Sequence, residues 1–133
     1  MLAMQAIHAE RKRQIEVEGW TPEHDDEHDS GEMLRAAVLY FHHSKDPTSL
    51  TMRNARRLGR PSREYPLGWP WDPYWWKPKD PRRNLERAGA LCLAERERLR
   101  RKSPDAFVGH VEQKLGLIVE ALEPLLNKHR SEP

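Results

Sequence analysis

Carboxylates and imidazoles crowd one short stretch of the chain, Glu23-His24-Asp25-Asp26-Glu27-His28-Asp29-Ser30-Gly31-Glu32. Adjacent carboxylates repel one another, so gathering them costs stability unless a cation neutralises them. Oxygen ligands of this kind suit Mg²⁺ or Mn²⁺, and Mg²⁺ keeps waters and meets substrate phosphates. His24 and His28 either accept Mn²⁺ or orient the carboxylates from behind. An acidic, His-rich run is also a common solvated loop. A second polar anomaly lies just before it: from Ile7, one helical face continues through Glu10, Arg11, Gln14 and Glu18. If that face points inward, its carboxylates need a divalent cation or an arginine; otherwise the helix turns its polar side to water beyond Ile7.

Four helices are expected to position these groups. The first covers about Leu2 to Glu18 and stops at Gly19. The second starts near Ser30 as N-cap, carries the apolar face of Met33, Leu34, Ala37, Val38, Tyr40 and Phe41, and fades by His43-Ser44. Glu32 stands at its start, where the helix dipole favours a carboxylate whatever its function. Asp80 as N-cap and Pro81 at the first helical position open the third. Leu85, Ala88, Cys92 and Leu99 then mark one face, on which Glu95 points inward, either in a buried ion pair or in a site. The fourth begins at Ser103-Pro104-Asp105 and carries Phe107, Val108, Val111, Leu115, Ile118, Leu122 and Leu125 over residues 103–130, with Pro124 expected to kink or end it. No segment alternates with the two-residue period of a strand. The fold class is all-α.

Residues 45–80 form a long connection rich in Pro, Trp and Arg. Thr51 to Leu58 has room for a short helix, after which repeated prolines forbid any long regular element. Tyr65, Trp69, Trp71, Tyr74, Trp75 and Trp76 make it too aromatic for ordinary disorder. It is expected to pack as an ordered flap over the helices or across a subunit boundary.

At 133 residues the chain suits one domain. Its apolar fraction of 37% and charged fraction of 33% describe helices with heavily charged outer faces. A net charge of +2 supplies no global field for nucleic acid, although Arg53, Arg56, Arg57, Arg60 and Arg63 cluster in the long connection. Cys92 is the sole cysteine, which excludes an intrachain disulfide and a multi-cysteine zinc site; in its apolar surroundings it reads as a small hydrophobe. No apolar run approaches membrane-span length and no secretory pattern opens the chain, so a cytoplasmic location is expected.

In order along the chain, Glu10-Arg11-Lys12-Arg13-Gln14-Ile15, Glu18-Gly19-Trp20-Thr21-Pro22-Glu23-His24-Asp25-Asp26 with His28, and Gly31-Glu32-Met33-Leu34 are followed by three more blocks. These are Trp69-Pro70-Trp71, Trp76-Lys77-Pro78, and Arg83-Asn84-Leu85 running on to Ala88-Gly89-Ala90-Leu91 and Ala94-Glu95. The ordered set, spanning about residues 5–100, resembles the MazG-like dATP/dGTP diphosphohydrolases of phages and bacteria, including the type found in phages that replace adenine by 2-aminoadenine. The resemblance implies a four-helix, all-α homo-oligomer, a dimer or tetramer, in the host cytoplasm if phage-encoded. It implies Mg²⁺ or Mn²⁺ held by carboxylates and hydrolysis of a purine deoxynucleoside triphosphate to the monophosphate. Broader relatives carry Glu-x-x-Glu followed by Glu-x-x-Asp on two helices. Here the only Glu-x-x-Glu is Glu120 to Glu123, and Glu23 to Asp26 lies in what reads as a loop.

On that resemblance Glu10, Glu18, Asp25, Asp26 and Glu32 are the expected metal ligands, with Glu18 and Asp25 catalytic and Glu18 the general base. His24 and His28 stand behind the ligands. Arg13 and Arg87 are expected on phosphate, Trp20 or a loop tryptophan on the purine face, and Gln14 or Asn84 on its edge. Two rival readings exist. The Arg- and Trp-rich segment suits single-stranded nucleic acid, and an aromatic subunit interface suits a phage structural component.

Overall fold

The computed structural model describes the backbone of residues 1–131 and the side chains of residues 1–127. It is mostly helical: α1 (Leu2–Glu16), a one-turn α2 (Pro22–Asp25), α3 (Glu32–Lys45), α4 (Pro81–Lys102) and α5 (Gly109–Ser131). The long helix α4 is central, touching α1, α2, α3 and α5. Its middle, Ala88-Gly89-Ala90-Leu91-Cys92-Leu93-Ala94, is buried on every side, as expected of a helix apolar all round. Small residues let neighbours approach closely. A Cβ built on Gly89 would lie 2.6 Å from Ile7 Cγ1 and Cδ1, so glycine is what allows α1 to rest on α4. Burial pushes the Cys92 thiol up to about 12, in keeping with a small core hydrophobe.

Asp80 caps α4, its Oδ1 accepting from Arg83 N at 2.9 Å, with Pro81 in the first turn. Helix α1 has no capping side chain of its own; Glu123 of α5 accepts from Leu2 N at 3.1 Å and Ala3 N at 2.7 Å. That contact satisfies two orphan donors and ties the first helix to the last.

Several element boundaries depart from the sequence reading. Helix α1 ends at Glu16, two residues early, with Gly19 in the turn beyond it at φ +75°. The cap of α3 is Gly31 at φ +78° rather than Ser30, whose N–H donates to Glu32 Oε1 at 2.6 Å. Helix α5 begins at Gly109, leaving Phe107 75% exposed instead of on the core stripe. Pro124 lies inside that helix without ending it, and Leu122 before it and Leu126 after it both pack on the core.

The long connection contains the only two strands among the described residues, β1 (Met52–Asn54) and β2 (Glu64–Pro66). They pair antiparallel with Met52 opposite Pro66, Arg53 opposite Tyr65 and Asn54 opposite Glu64. At three residues each they are too short to show alternation, which is why the sequence presents no strand signal. Only Ala55–Leu58 of the expected short helix forms, as a 3₁₀ turn.

Beyond the hairpin the segment folds over α3 as an ordered cover. Tyr40 stacks on Trp76 with centroids 4.6 Å apart and meets Trp69 edge-on at 5.8 Å, while its hydroxyl accepts from Lys77 N at 3.1 Å. Among the described residues no helix is long and apolar enough to cross a membrane.

Candidate functional site

The site starts from the turn after α1. Gly19 reverses the chain so that Trp20 N donates to Gln14 O at 2.9 Å, and Arg11 Nη1 donates to Trp20 O at 3.1 Å. Thr21 then caps α2, accepting from His24 N at 3.3 Å, with Pro22 in the first turn. This Thr-Pro-Glu start is a helix signal, so Glu23 to Asp26, which reads as a loop in the sequence, forms part of a helical turn and its cap. The facing wall comes from the long connection. Asp72 accepts from Tyr74 N at 2.9 Å through its side chain and from Trp69 Nε1 at 3.1 Å through its carbonyl, which sets the turn bearing Trp71 and Trp75. Met33 of α3 and Leu91 and Ala94 of α4 also line the space.

The result is an aromatic cavity of about 380 Å³. Trp20 lies 6.4 Å from both Trp71 and Trp75, His28 lies 5.2 Å from Trp71, and His24 lies 4.9 Å from His28, all between ring centroids. Glu18 and Asp25 bring carboxylates to its lining. A much smaller polar chamber of about 20 Å³ adjoins it, lined in part by Glu10, Gln14, Lys77 and Arg87. The two spaces share Glu18, Trp20, Trp75 and Leu91.

Beside the polar chamber the inward-facing alternative for α1 is realised: Glu10, Arg11 and Gln14 are buried. Arg13 Nε and Nη2 donate to the two Glu10 oxygens at 2.8 and 2.9 Å, and Nη2 also donates to Glu18 Oε1 at 3.0 Å. Arg83 Nη2 donates to Glu10 Oε1 at 3.1 Å, and its Nη1 to Glu86 Oε1 at 2.6 Å. Burial pushes the Glu10 carboxyl up, but Arg13 and Arg83 outweigh it and hold it below its ordinary value. Its hydrogen bond to Glu10 raises Arg13 in turn. Carboxylates from α1 and from the turn after it thus converge on one cationic nitrogen.

Of the expected ligands, Glu10 and Glu18 are brought together in this way, whereas Asp25, Asp26 and Glu32 are not part of the same group. Asp25 is buried against Arg11, whose Nη2 lies 2.6 Å from its Oδ2; burial raises its carboxyl despite that partner. Asp26 points to the outer surface and pairs with Arg101 at 2.8 Å. Glu32 holds Ser30 N and lies 3.4 Å from His28 Nδ1. Among the described residues no group of three or more His, Cys, Asp or Glu is arranged to hold a metal ion. Mg²⁺ takes one or two protein carboxylates and completes its shell with water and phosphate, but both Glu10 oxygens here accept from Arg13, Arg83 and Gln14, so a cation at this point would have to take the place of Arg13.

No protein-family model, curated protein or solved structure matches this chain.

The remaining expected residues divide. Trp20, His24 and His28 line the aromatic cavity, and Gln14 and Arg87 the polar chamber. Arg87 Nη1 also donates to Lys77 O, holding the connection against α4. Asn84 lines neither space. Its Oδ1 accepts from Lys79 N at 2.7 Å and its Nδ2 donates to Lys79 O at 3.0 Å, with His43 Nδ1 3.1 Å away. A base edge would have to compete for an amide already spent on the connection. Glu95 makes the ion-pair alternative, accepting from Arg98 Nε at 2.6 Å.

Sequence reasoning missed Arg83, Glu86, Trp71, Trp75 and Lys77 as named members of the site. The spacing of Arg82 and Arg83 to Glu86, four and three residues, was a visible pairing signal. Nothing in the sequence distinguishes Trp71 and Trp75 from Trp69 and Trp76, which the fold spends on packing against Tyr40.

Proposed function

We propose that this chain is a metal-dependent nucleotide phosphohydrolase of the MazG-like kind, converting dGTP or dATP to the monophosphate. The observation that carries the reading is the meeting, at Glu18, of an aromatic cavity with a chamber bearing carboxylates and cations. A cavity of about 380 Å³ falls in the range of small-molecule sites. Trp20, Trp71 and Trp75 offer faces for a base, and Lys77 and Arg87 offer charge for phosphates. Arginine in particular suits bidentate phosphate contacts.

Glu10 and Glu18 would hold Mg²⁺ or Mn²⁺, which when bound neutralises the polyphosphate and acidifies a water. Arg13, which holds both carboxylates here, would be free for phosphate once a cation took its place. Glu18 would ligate through one oxygen and leave the other to accept the proton of the attacking water. Asp25 supports the α2 wall through Arg11. Attack of water on the α-phosphorus breaks its bond to the β-phosphate oxygen and releases the monophosphate and pyrophosphate, in control of the nucleotide pool or as supply for a modified purine. Association of several copies belongs to the same reading and is tested by light scattering.

The deciding experiment is turnover of a panel of dNTPs and NTPs with Mg²⁺ or Mn²⁺, products resolved by ion exchange. Metal-dependent release of dGMP or dAMP is expected. No turnover of any nucleotide with either metal sinks the proposal. One observation favours the rival: Tyr74 and Trp75 are 57% and 41% exposed, with Lys77 Nζ 4.4 Å from the Tyr74 ring. Salt-dependent binding of single-stranded oligonucleotides without turnover is its signature.

A further inference from the structure

Asp25 is 2% exposed at the wall of the aromatic cavity and spends only half of its carboxylate on the protein. Oδ2 accepts from Arg11 Nη2 at 2.6 Å. Oδ1 has no such partner: His24 Nδ1, the basic nitrogen beside it, stands 3.9 Å away, beyond hydrogen-bond reach. Packing seals His24 Nδ1 and Trp71 Nε1 from solvent, but it does not seal Oδ1, and the space that Asp25 borders is the cavity. A carboxylate oxygen left without a donor in so buried a place is costly. Held by Arg11, the group is ionised, and an ionised carboxylate only accepts. What this oxygen lacks is an N–H or O–H brought by a ligand.

The charge of the two spaces decides which end of a ligand meets it. Glu18, Asp25 and Asp72 line the cavity together with no lysine or arginine, whereas the adjoining chamber carries Lys77 and Arg87. Phosphates are repelled by the first and drawn to the second, so a nucleotide seats with its base in the cavity. Adenine donates from its edge through the 6-amine and guanine through the 2-amine. Resting on the nucleotide reading above, we propose that Asp25 Oδ1 accepts an N–H from the edge of the bound base. One carboxylate then has two tasks: Oδ2 holds the α2 wall through Arg11, and Oδ1 selects bases that donate.

The test is binding of deoxynucleoside monophosphates to the full chain without metal, by calorimetry, so that turnover plays no part. dAMP and the nucleotide of unsubstituted purine differ only in the 6-amine. A hydrogen bond to a charged acceptor contributes about ten- to hundredfold in affinity, and the wild type should prefer dAMP by that ratio. In Asp25→Asn, where a neutral amide replaces the carboxylate, the ratio should shrink severalfold; an undiminished ratio overturns the proposal. Loss of the Arg11 pair could unfold that variant, so Glu18→Gln and Asp72→Asn, the other two carboxylates of the lining, provide a second check. Both should keep the wild-type ratio, and its collapse in either assigns the contact there and overturns the role of Asp25. Equal wild-type affinity for dAMP and the purine nucleotide overturns the proposal and leaves the nucleotide reading standing. Failure of the wild type to bind dAMP, dGMP or the purine nucleotide overturns both.

Discussion

Glu10 and Glu18 show how one residue type acquires two roles through its surroundings. Glu10 is buried and held by two arginines, while Glu18 stands where the two chambers meet. Glu18→Gln preserves shape and removes the proton acceptor, so kcat for dGTP should fall about 10²–10⁴-fold with dGMP affinity little changed. An unaltered rate would remove Glu18 from the chemistry. Glu10 carries a pH signature. Its carboxyl sits below the ordinary 4.5 in the folded chain, so the unfolded chain binds the extra proton first. Its stabilisation is therefore complete above pH 4.5 and is lost as pH falls below that value toward the folded pKa. Asp25, raised above 3.8 by burial, contributes with the opposite sign, so the wild-type curve alone mixes the two. Urea unfolding of Glu10→Gln beside wild type isolates the term. The variant should be less stable by about 1–3 kcal/mol at neutral pH, with the gap closing in acid. A gap independent of pH would show that packing, not charge, is lost.

At the scale of elements, the close approach of α1 to α4 determines whether the polar face of α1 reaches Arg83. That approach depends on a missing Cβ at Gly89, against the stiff β-branched side chain of Ile7. Gly89→Ala should cost about 1–3 kcal/mol by overpacking, against the roughly 1 kcal/mol gain that a helix interior ordinarily takes from this change. Thermal unfolding decides the sign, and a more stable variant would mean that α1 shifts freely. The caps of α4 were legible because Asp80-Pro81 is a local signal whose meaning needs no tertiary partner. The α3 cap was not, since Ser30 and Gly31 are both acceptable and the Glu32 contact to Ser30 N tips the choice. The hairpin of β1 and β2 was invisible for the related reason that six paired residues carry no period.

For the whole molecule, a divalent cation bound only by the folded chain must stabilise it by mass action. At one hundred times its dissociation constant the gain is about 2.7 kcal/mol. Mn²⁺ should therefore raise the melting temperature of wild type and leave that of a Glu10→Gln/Glu18→Gln double variant unmoved, a readout that needs no substrate. An equal rise in both would place the cation elsewhere. The acidic run of residues 23–32, by contrast, sends its carboxylates to separate partners. Repulsion among its carboxylates is relieved one at a time by arginines distant in sequence, Arg11 on Asp25 and Arg101 on Asp26.

Local chemistry determined the helical class, the start of α4, the burial of Cys92 and the ordered character of the long connection, because caps, prolines and apolar spacing act within a few residues. Tertiary structure alone decided which carboxylates converge and which tryptophans line a cavity. Arg83 and Glu10 are far apart in the chain, and so are Trp20 and Trp71. Whether a buried charge meets a cation or an arginine, and whether an indole packs or lines a cavity, depends on partners that only the folded chain brings within reach.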